Sequence, residues 1–419
     1  MAGVRRPALL VVCAAVFVDM LGFGIILPLL PYQVQDLGGT GVWVGAVLTA
    51  YAAAQFVSAP VLGALSDRFG RRPLLLAALA GSAVSLALTG IAPNLPLLLA
   101  ARLLAGLFGG AIAVGQAYVV DLSEPAQRTR ALGLVGASIG LGFVFGPAIG
   151  AGLADLGFAG VSFVAAGVAA ANLVAGFLWL PRTRSAAPST GHGRSVNRLG
   201  GLVTALRYRG LRRVLGAIFV ATLAFVAMEA TFALLGAARF DLGPRGLGLV
   251  FTGVGVVMAI VQGGLVGRLA DRFGDRSVAV AGAVLLGAGL AVLPFSPQWI
   301  TYVALGVVAV GQGLLTTTSA ALISSTGGPE RGQSFGAGQS ASAAARAIGP
   351  LVGGAVYDAG AALPYVGGAA LCLLAALLLV GVRSGSAEPT VALAGDQPQA
   401  DPSDDPTDPH GTAPAPARV

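Results

Sequence analysis

Twelve apolar runs, each close to the roughly 20 residues a helix needs to cross a bilayer, decide most of what this chain can become. They lie at 8–30, 43–65, 73–91, 96–120, 131–154 and 161–180, and again at 213–238, 246–270, 277–295, 299–325, 334–357 and 363–382. The breaks between them are short and carry turn residues, as in Ala92-Pro93-Asn94 and Phe295-Ser296-Pro297. Internal Gly and Pro, such as Gly146-Pro147, do not argue against spanning helices, because neighbouring groups re-satisfy the backbone there. Composition excludes the alternative of buried helices in a soluble protein. Only 10% of the 419 residues are charged and 56% are hydrophobic, too little charge to clothe a soluble surface. The expected fold class is therefore an all-α membrane protein with twelve transmembrane helices.

Charge placement orients the spans. All 25 basic residues are Arg. With the N-terminus in the cytoplasm, only Arg239 and Arg245 fall on the outer side, and Arg102 and Arg346 fall within spans. Such an asymmetry puts both termini inside. Arg5 and Arg6 before an apolar run suggest a signal peptide, yet the run continues past Asp19 to Leu30, so a retained first helix is expected. The segment 182–212 is Arg-rich and lacks acids. It reads as a basic cytoplasmic linker near anionic lipid headgroups. It lacks the interleaved aromatics of a nucleic-acid module, so no nucleic-acid partner is expected. Residues 384–419, Pro-rich with Asp396, Asp401, Asp404, Asp405 and Asp408, read as a disordered acidic tail. Cys13 and Cys372 each lie in an apolar run and read as core residues, without a disulfide framework. His192 and His410 lie outside the spans, and no metal site or cofactor is expected.

The chain also repeats itself. Residues 63–72 read GALSDRFGRR and residues 267–276 read GRLADRFGDR, with seven of ten positions identical. GPAIGAGLAD at 146–155 matches GPLVGGAVYD at 349–358 at nearly the same offset. The expectation is a duplicated unit: two pseudo-symmetric six-helix bundles at 1–181 and 213–383, joined by the linker. Secondary transporters that rock two bundles about a midplane site are built this way.

These segments resemble the major facilitator superfamily, over about residues 8–382. The loop Gly63, Leu65, Asp67, Arg68, Gly70, Arg71, Arg72 is similar to that family's signature between helices 2 and 3, with a second copy at Gly267, Asp271 and Arg272. In that copy Asp275 stands where Arg71 stands in the first. Arg102 with Gly106, Gly109 and Gly110 resembles the fourth-helix motif. Gly142, Gly146, Pro147 and Gly150 resemble the fifth-helix motif of drug–proton antiporters, with Ala151 where Gly is usual; Gly349, Pro350 and Gly353 repeat it in helix 11. The stretch 51–73, with Asp19 in VDMLGFGIILPLLP, looks similar to the tetracycline-efflux branch. The resemblance implies that Asp67 faces the start of helix 11 near 333–336, with Arg71 and Asp121 completing a charge cluster. It implies that this contact holds the two bundles while the cavity faces outward. It also implies that helices 1, 4, 7 and 10 line the cavity. An acid at a helix N-terminus is worth about 0.3–1 kcal/mol; the same charges also fix topology. The small residues at Gly142, Gly146 and Gly150 allow close backbone approach, either as plain packing or as a sliding surface, and Pro147 should bend its helix.

Four ionisable residues lie within spans: Asp19, Arg102, Glu229 and Arg346. Each costs about 2.5–3.5 kcal/mol at the bilayer centre on insertion scales, which makes it a functional candidate by default. Each half holds one acid and one Arg, which suggests the pairs Asp19–Arg102 and Glu229–Arg346. Asp19 is the expected proton carrier, because burial and a nearby guanidinium pull its ionisation in opposite directions. Arg102 stays charged; its alternative is to snorkel to the headgroups. Glu229 either carries a proton, attracts a cation beside Phe225 and Phe232, or pairs statically with Arg346. Phe23, Gln116 and Gln312 complete the candidate cavity residues, with packing as the alternative for the two Gln. The expected activity is proton-coupled export of amphipathic, drug-like molecules by a monomer in the bacterial cytoplasmic (inner) membrane. Its expected partners are a small-molecule substrate, protons and membrane lipids. A metabolite or sugar carrier is the second reading. A nucleotide-driven pump is disfavoured, since no GxxxxGK[ST] loop occurs, and so is a membrane metalloenzyme, since no ligand cluster occurs. A non-transporting sensor is expected to need an appended domain, for which the polar tail is too short.

Overall fold

The computed structural model describes residues 5–124, 127–180, 208–326 and 331–382. Most of the 182–212 linker, the 384–419 tail, His192 and His410 lie outside the described residues. Every described element is helical. The first part of the chain forms α1 (Arg5–Ile26), α2 (Leu30–Asp36), α3 (Gly41–Phe69), α4 (Arg71–Gly90), α5 (Leu95–Phe108), α6 (Ala111–Leu122), α7 (Arg128–Gly152) and α8 (Gly157–Trp179). The second forms α9 (Arg209–Phe240), α10 (Pro244–Ile260), α11 (Val266–Phe273), α12 (Asp275–Val292), α13 (Gln298–Thr326), α14 (Arg331–Ala359) and α15 (Leu363–Val380).

Eleven stretches are long and apolar enough to cross a membrane. The remaining expected span, at 334–357, is α14. At 29 residues it is long enough, about 43 Å, but it is rich in Gly, Ser and Gln. It packs between α3 and α9, and small residues there let the backbones approach closely.

Three of the expected spans are interrupted. The first ends at Ile26, just before Leu27-Pro28, where the residue preceding a proline disfavours helix, and resumes as α2. The fourth breaks at Gly109-Gly110, between α5 and α6. Groups on α3 take up the carbonyls at this break: Gln55 Nε2 donates to Gly109 O at 2.8 Å and Ser58 Oγ to Gly106 O at 3.0 Å. The eighth has a π-helical turn at Val261–Leu265 between α10 and α11. In the other repeat the same place, 57–61, contains Pro60 inside α3. Both devices disturb the i→i−4 ladder just before the repeated Gly63 and Gly267 loops.

Buried apolar side chains cluster by halves of the chain. One cluster draws on Leu211 to Val382; two others draw on Val12 to Leu180, with Leu234 added from α9. Cys13 and Cys372 are free and buried. Contacts repeat along with sequence. A Cβ on Gly146 would lie 2.7 Å from Gly24 Cα and one on Gly150 2.3 Å from Ile25 O, so the α7 glycine stripe seats directly on α1. Gly353 of α14 meets Ala227 of α9 in the same way, with 2.8 Å to its Cα. Arg72 donates to Phe177 O, and Arg276 to Val380 O.

Candidate functional site

Asp19 sits in an apolar helix with no charged neighbour of its own, so whatever stabilises its carboxyl must come from another element. It is 7% exposed, and Ser82 Oγ of α4 donates to its Oδ1 at 2.9 Å. Arg102 of α5 is 2% exposed, and its Nη2 donates to Thr89 Oγ1 at 2.7 Å. Asp19, Ser82, Ser85, Arg102, Tyr51 and Phe23 line one cavity. The cavity is of a size for water, well below that of drug-sized pockets.

The expected Asp19–Arg102 ion pair is not made. Ser82 and Thr89 are seven residues apart on one face of α4, about 10 Å along its axis. Each holds one of the two charges, so carboxylate and guanidinium are anchored to different hydroxyls and make no contact pair. The alternative of snorkelling is not adopted: Arg102 turns inward to Thr89, and its Nε has no hydrogen-bond partner among the described residues. Phe23 stacks on Tyr51 with ring centroids 4.6 Å apart and meets Phe143 edge-on at 6.1 Å. Sequence reasoning missed Ser82, Thr89 and Tyr51. A hydroxyl stripe at 82, 85 and 89 has helical spacing, but membrane helices carry many such hydroxyls that only bond their own backbone.

Thr89→Val is nearly isosteric and removes the oxygen that Arg102 uses. A buried guanidinium N–H left unpaired costs about 1–3 kcal/mol. The variant is expected to melt below the parent in detergent, and an unchanged melting curve would show that Arg102 finds another partner.

The second half departs more from expectation. Glu229 is half-buried on α9 and Arg346 is exposed on α14. Arg346 lies within electrostatic range of Glu229, but no contact ion pair joins them. The close α9–α14 contact runs through Gly349 and Gly353, and Arg346 is turned out of it. Phe225 and Phe232, expected at a cavity wall, are 9% and 0% exposed within the apolar cluster of the second half; in this state they pack. Gln312 is buried, with its Oε1 unpartnered among the described residues, while Gln116 is exposed on α6.

At the 63–72 loop, Gly70 takes φ +97°, a conformation that favours glycine, and lets α3 turn into α4; Gly274 does the same at φ +79° in the second copy. Arg71 joins the neighbouring groups: Nη2 to Asp67 at 2.5 Å, Nε to Asp121 at 2.7 Å and Nη1 to Ser66 Oγ at 2.5 Å. At the expected meeting point of Asp67 with helix 11, near 333–336, the side chain of residue 333 lies outside the described residues, Ser334 is buried and Phe335 is exposed. Arg68 lies over Phe69 and Arg272 over Phe273. Asp271 is exposed, and Gly63 and Gly267 face open space.

Comparison with known proteins agrees with this architecture. The family model described as Major Facilitator Superfamily matches residues 12–266 and 217–402. The chain is 30% identical over 375 residues to the class C tetracycline resistance protein of Escherichia coli, covering 88% of this chain and 95% of that protein. It is 29% identical to human major facilitator superfamily domain-containing protein 10, covering 84% and 88%. The crystal structure of the human organic anion transporter MFSD10 aligns with TM-score 0.67 at 27% identity, over 90% of this chain and 99% of that one. That of a mutant of the nucleoside transporter NupG aligns with TM-score 0.73 at 13% identity over the same shares, a likeness of fold alone.

Proposed function

Since this chain belongs to the Major Facilitator Superfamily and is a multi-pass membrane transporter, we propose that it exports amphipathic, drug-like molecules in exchange for protons. The observation that carries this reading is Asp19, a carboxyl buried within a span and held by a neutral hydroxyl in a water-sized polar cavity. Such a group changes charge when that cavity opens or closes. Tetracycline resistance proteins among the relatives support drug export. The halves 1–181 and 213–383 act as two six-helix bundles that alternate access about the cavity, with both termini in the cytoplasm of a bacterial inner-membrane protein. Glu229 draws substrate in or carries a second proton, and the Asp67–Arg71–Asp121 cluster gates the cytoplasmic side. The driving force suffices. One charge moving through roughly 150 mV supplies about 3.4 kcal/mol, enough for a gradient of roughly 300-fold.

Everted membrane vesicles test the proposal. Adding tetracyclines or other amphipathic drugs to energised vesicles should release protons from the lumen, and vesicles lacking the protein should not respond. If no compound moves protons, export by antiport is wrong. A second reading, carriage of organic anions, is favoured by the exposed Arg346 with no contact partner at Glu229. It predicts uptake or exchange of anionic compounds in the same vesicles.

A further inference from the structure

Asp155 and Asp358 close the two copies of the repeated segment GPAIGAGLAD and GPLVGGAVYD, and neither belongs to the proton site. Asp358 reaches across to the first half. Its Oδ1 accepts from Gly41 N at 2.7 Å and its Oδ2 from Val42 N at 2.8 Å. These are among the N–H groups that α3 leaves unpaired at its start. The local N-cap residue, Thr40, makes no side-chain cap. A carboxylate from the other half therefore does what a capping side chain does within one helix, in favourable alignment with the helix dipole.

Beneath this contact the two backbones touch. A Cβ on Gly354 would lie 1.9 Å from Gly41 O, and one on Gly45 2.2 Å from Pro350 O. One turn further in, Leu351 N donates to Thr49 Oγ1 at 3.2 Å. The duplicated position gives the counterpart. Asp155 Oδ2 stands 3.9 Å from Arg245 Nη1, at the start of α10, and below it Gly248 packs on Ala151 and on Pro147 O. Tyr32 OH donates to Leu242 O at 2.5 Å at the same end of the molecule. In each half, the acid that ends the fifth span meets the start of the other half's second span. The two contacts are unequal. Asp358 has two short charge-assisted bonds to backbone, whereas Asp155–Arg245 is a loose, exposed pair of the kind that contributes little.

We propose that Asp358 is an outer latch: by holding the N-terminus of α3 across the two halves it keeps the molecule closed at the end carrying residues 32–49 and 351–358, with Asp155–Arg245 as a weaker duplicate. The inference rests on the alternating-access part of the proposed function, and on neither the substrate nor the proton. For the cavity to open at this end, the Gly41 and Val42 N–H groups must exchange the carboxylate for water.

Spin labels on Gln35→Cys and Ala361→Cys, two exposed positions at this end on opposite halves, report its closure in the full-length protein in lipid nanodiscs. The ratio of closed to open molecules is expected to fall about fivefold in Asp358→Ala, the equivalent of about 1 kcal/mol. Asp358→Asn, which keeps one acceptor, should give a smaller shift, and Arg245→Ala less than twofold, as fits a surface pair. Distances unchanged in both Asp358 variants would overturn the latch, as would an equal shift from Arg245→Ala. If Asp358→Ala does not fold, Asp358→Asn alone decides. An end that opens in Asp358→Ala while vesicles carrying the parent protein show no drug-driven proton movement would sink the antiport reading and leave the latch standing.

Discussion

Vesicles carrying Asp19→Asn are expected to show no drug-driven proton release above that of vesicles lacking the protein. Asn has the shape of Asp and can still accept from Ser82 through its side-chain oxygen, so the geometry at α1 and α4 should survive. What disappears is the proton-releasing carboxyl of a cavity whose other ionisable lining residues are Tyr51 and Arg102. Arg102 cannot take over, because a guanidinium does not give up its proton in a protein. Drug binding and drug–drug exchange down a gradient should persist, since neither step needs the carboxyl to change charge. The comparison is made at matched expression, following both lumenal pH and exchange of a labelled drug. Proton release at the parent's level would remove Asp19 from the coupling mechanism. Loss of both coupling and exchange would mean that Asn disturbs the cavity itself.

Gly106→Val is expected to have the largest effect on stability. A Cβ at Gly106 would lie 2.2 Å from Tyr51 O and 2.7 Å from Ala54 Cβ. The first of these is backbone and cannot swing aside. Relief requires α5 to move off α3, which also breaks the Ser58 and Gln55 bonds to the carbonyls at the Gly109-Gly110 break. Overpacking costs about 1–3 kcal/mol, and the Gly109 carbonyl left without its Gln55 donor adds about 1–3 kcal/mol, while Gly106 O keeps the bond from Gly109 N. Together they are enough to unfold a marginal protein. The measurement is thermal melting and monodispersity in detergent, with Ser58→Ala as the control for loss of one hydrogen bond alone. A Gly106→Val protein that melts like its parent would mean that the helices are not in backbone contact there.

The helical character of the chain and the position of nearly every span were legible in residue order, because a bilayer leaves the backbone no alternative to helix or closed barrel. The breaks were harder. Gly109-Gly110 reads as part of a motif, yet glycines inside spans more often mark close packing than interruption. It is the donors on α3 that make the break tolerable, and they are 54 and 48 residues away. The π-turn at Val261–Leu265 carries the pair Gly263-Gly264, which in a span reads equally well as close packing. Its meaning appears only beside Pro60 in the other repeat.

The site divided along the same line. Asp19 and Arg102 stood out because charge is costly in hydrocarbon and so conspicuous in a span. That cost also suggested pairing them, and here the inference failed. Sequence order cannot say that Ser82 and Thr89 reach the two charges first. Likewise Glu229 and Phe232 lie on one helix and read as one surface, while the fold leaves Glu229 half-buried and puts Phe232 inside the core.

The amino-acid order alone determined the class of solvent, the number of helices within one, the duplication and the family, since each of these follows from composition and local pattern. Only tertiary structure decided which hydroxyl holds which charge, which glycines touch backbone and which acid caps a helix 316 residues away. Those contacts depend on distances between helices, and distance between helices is written in the packing of all of them together.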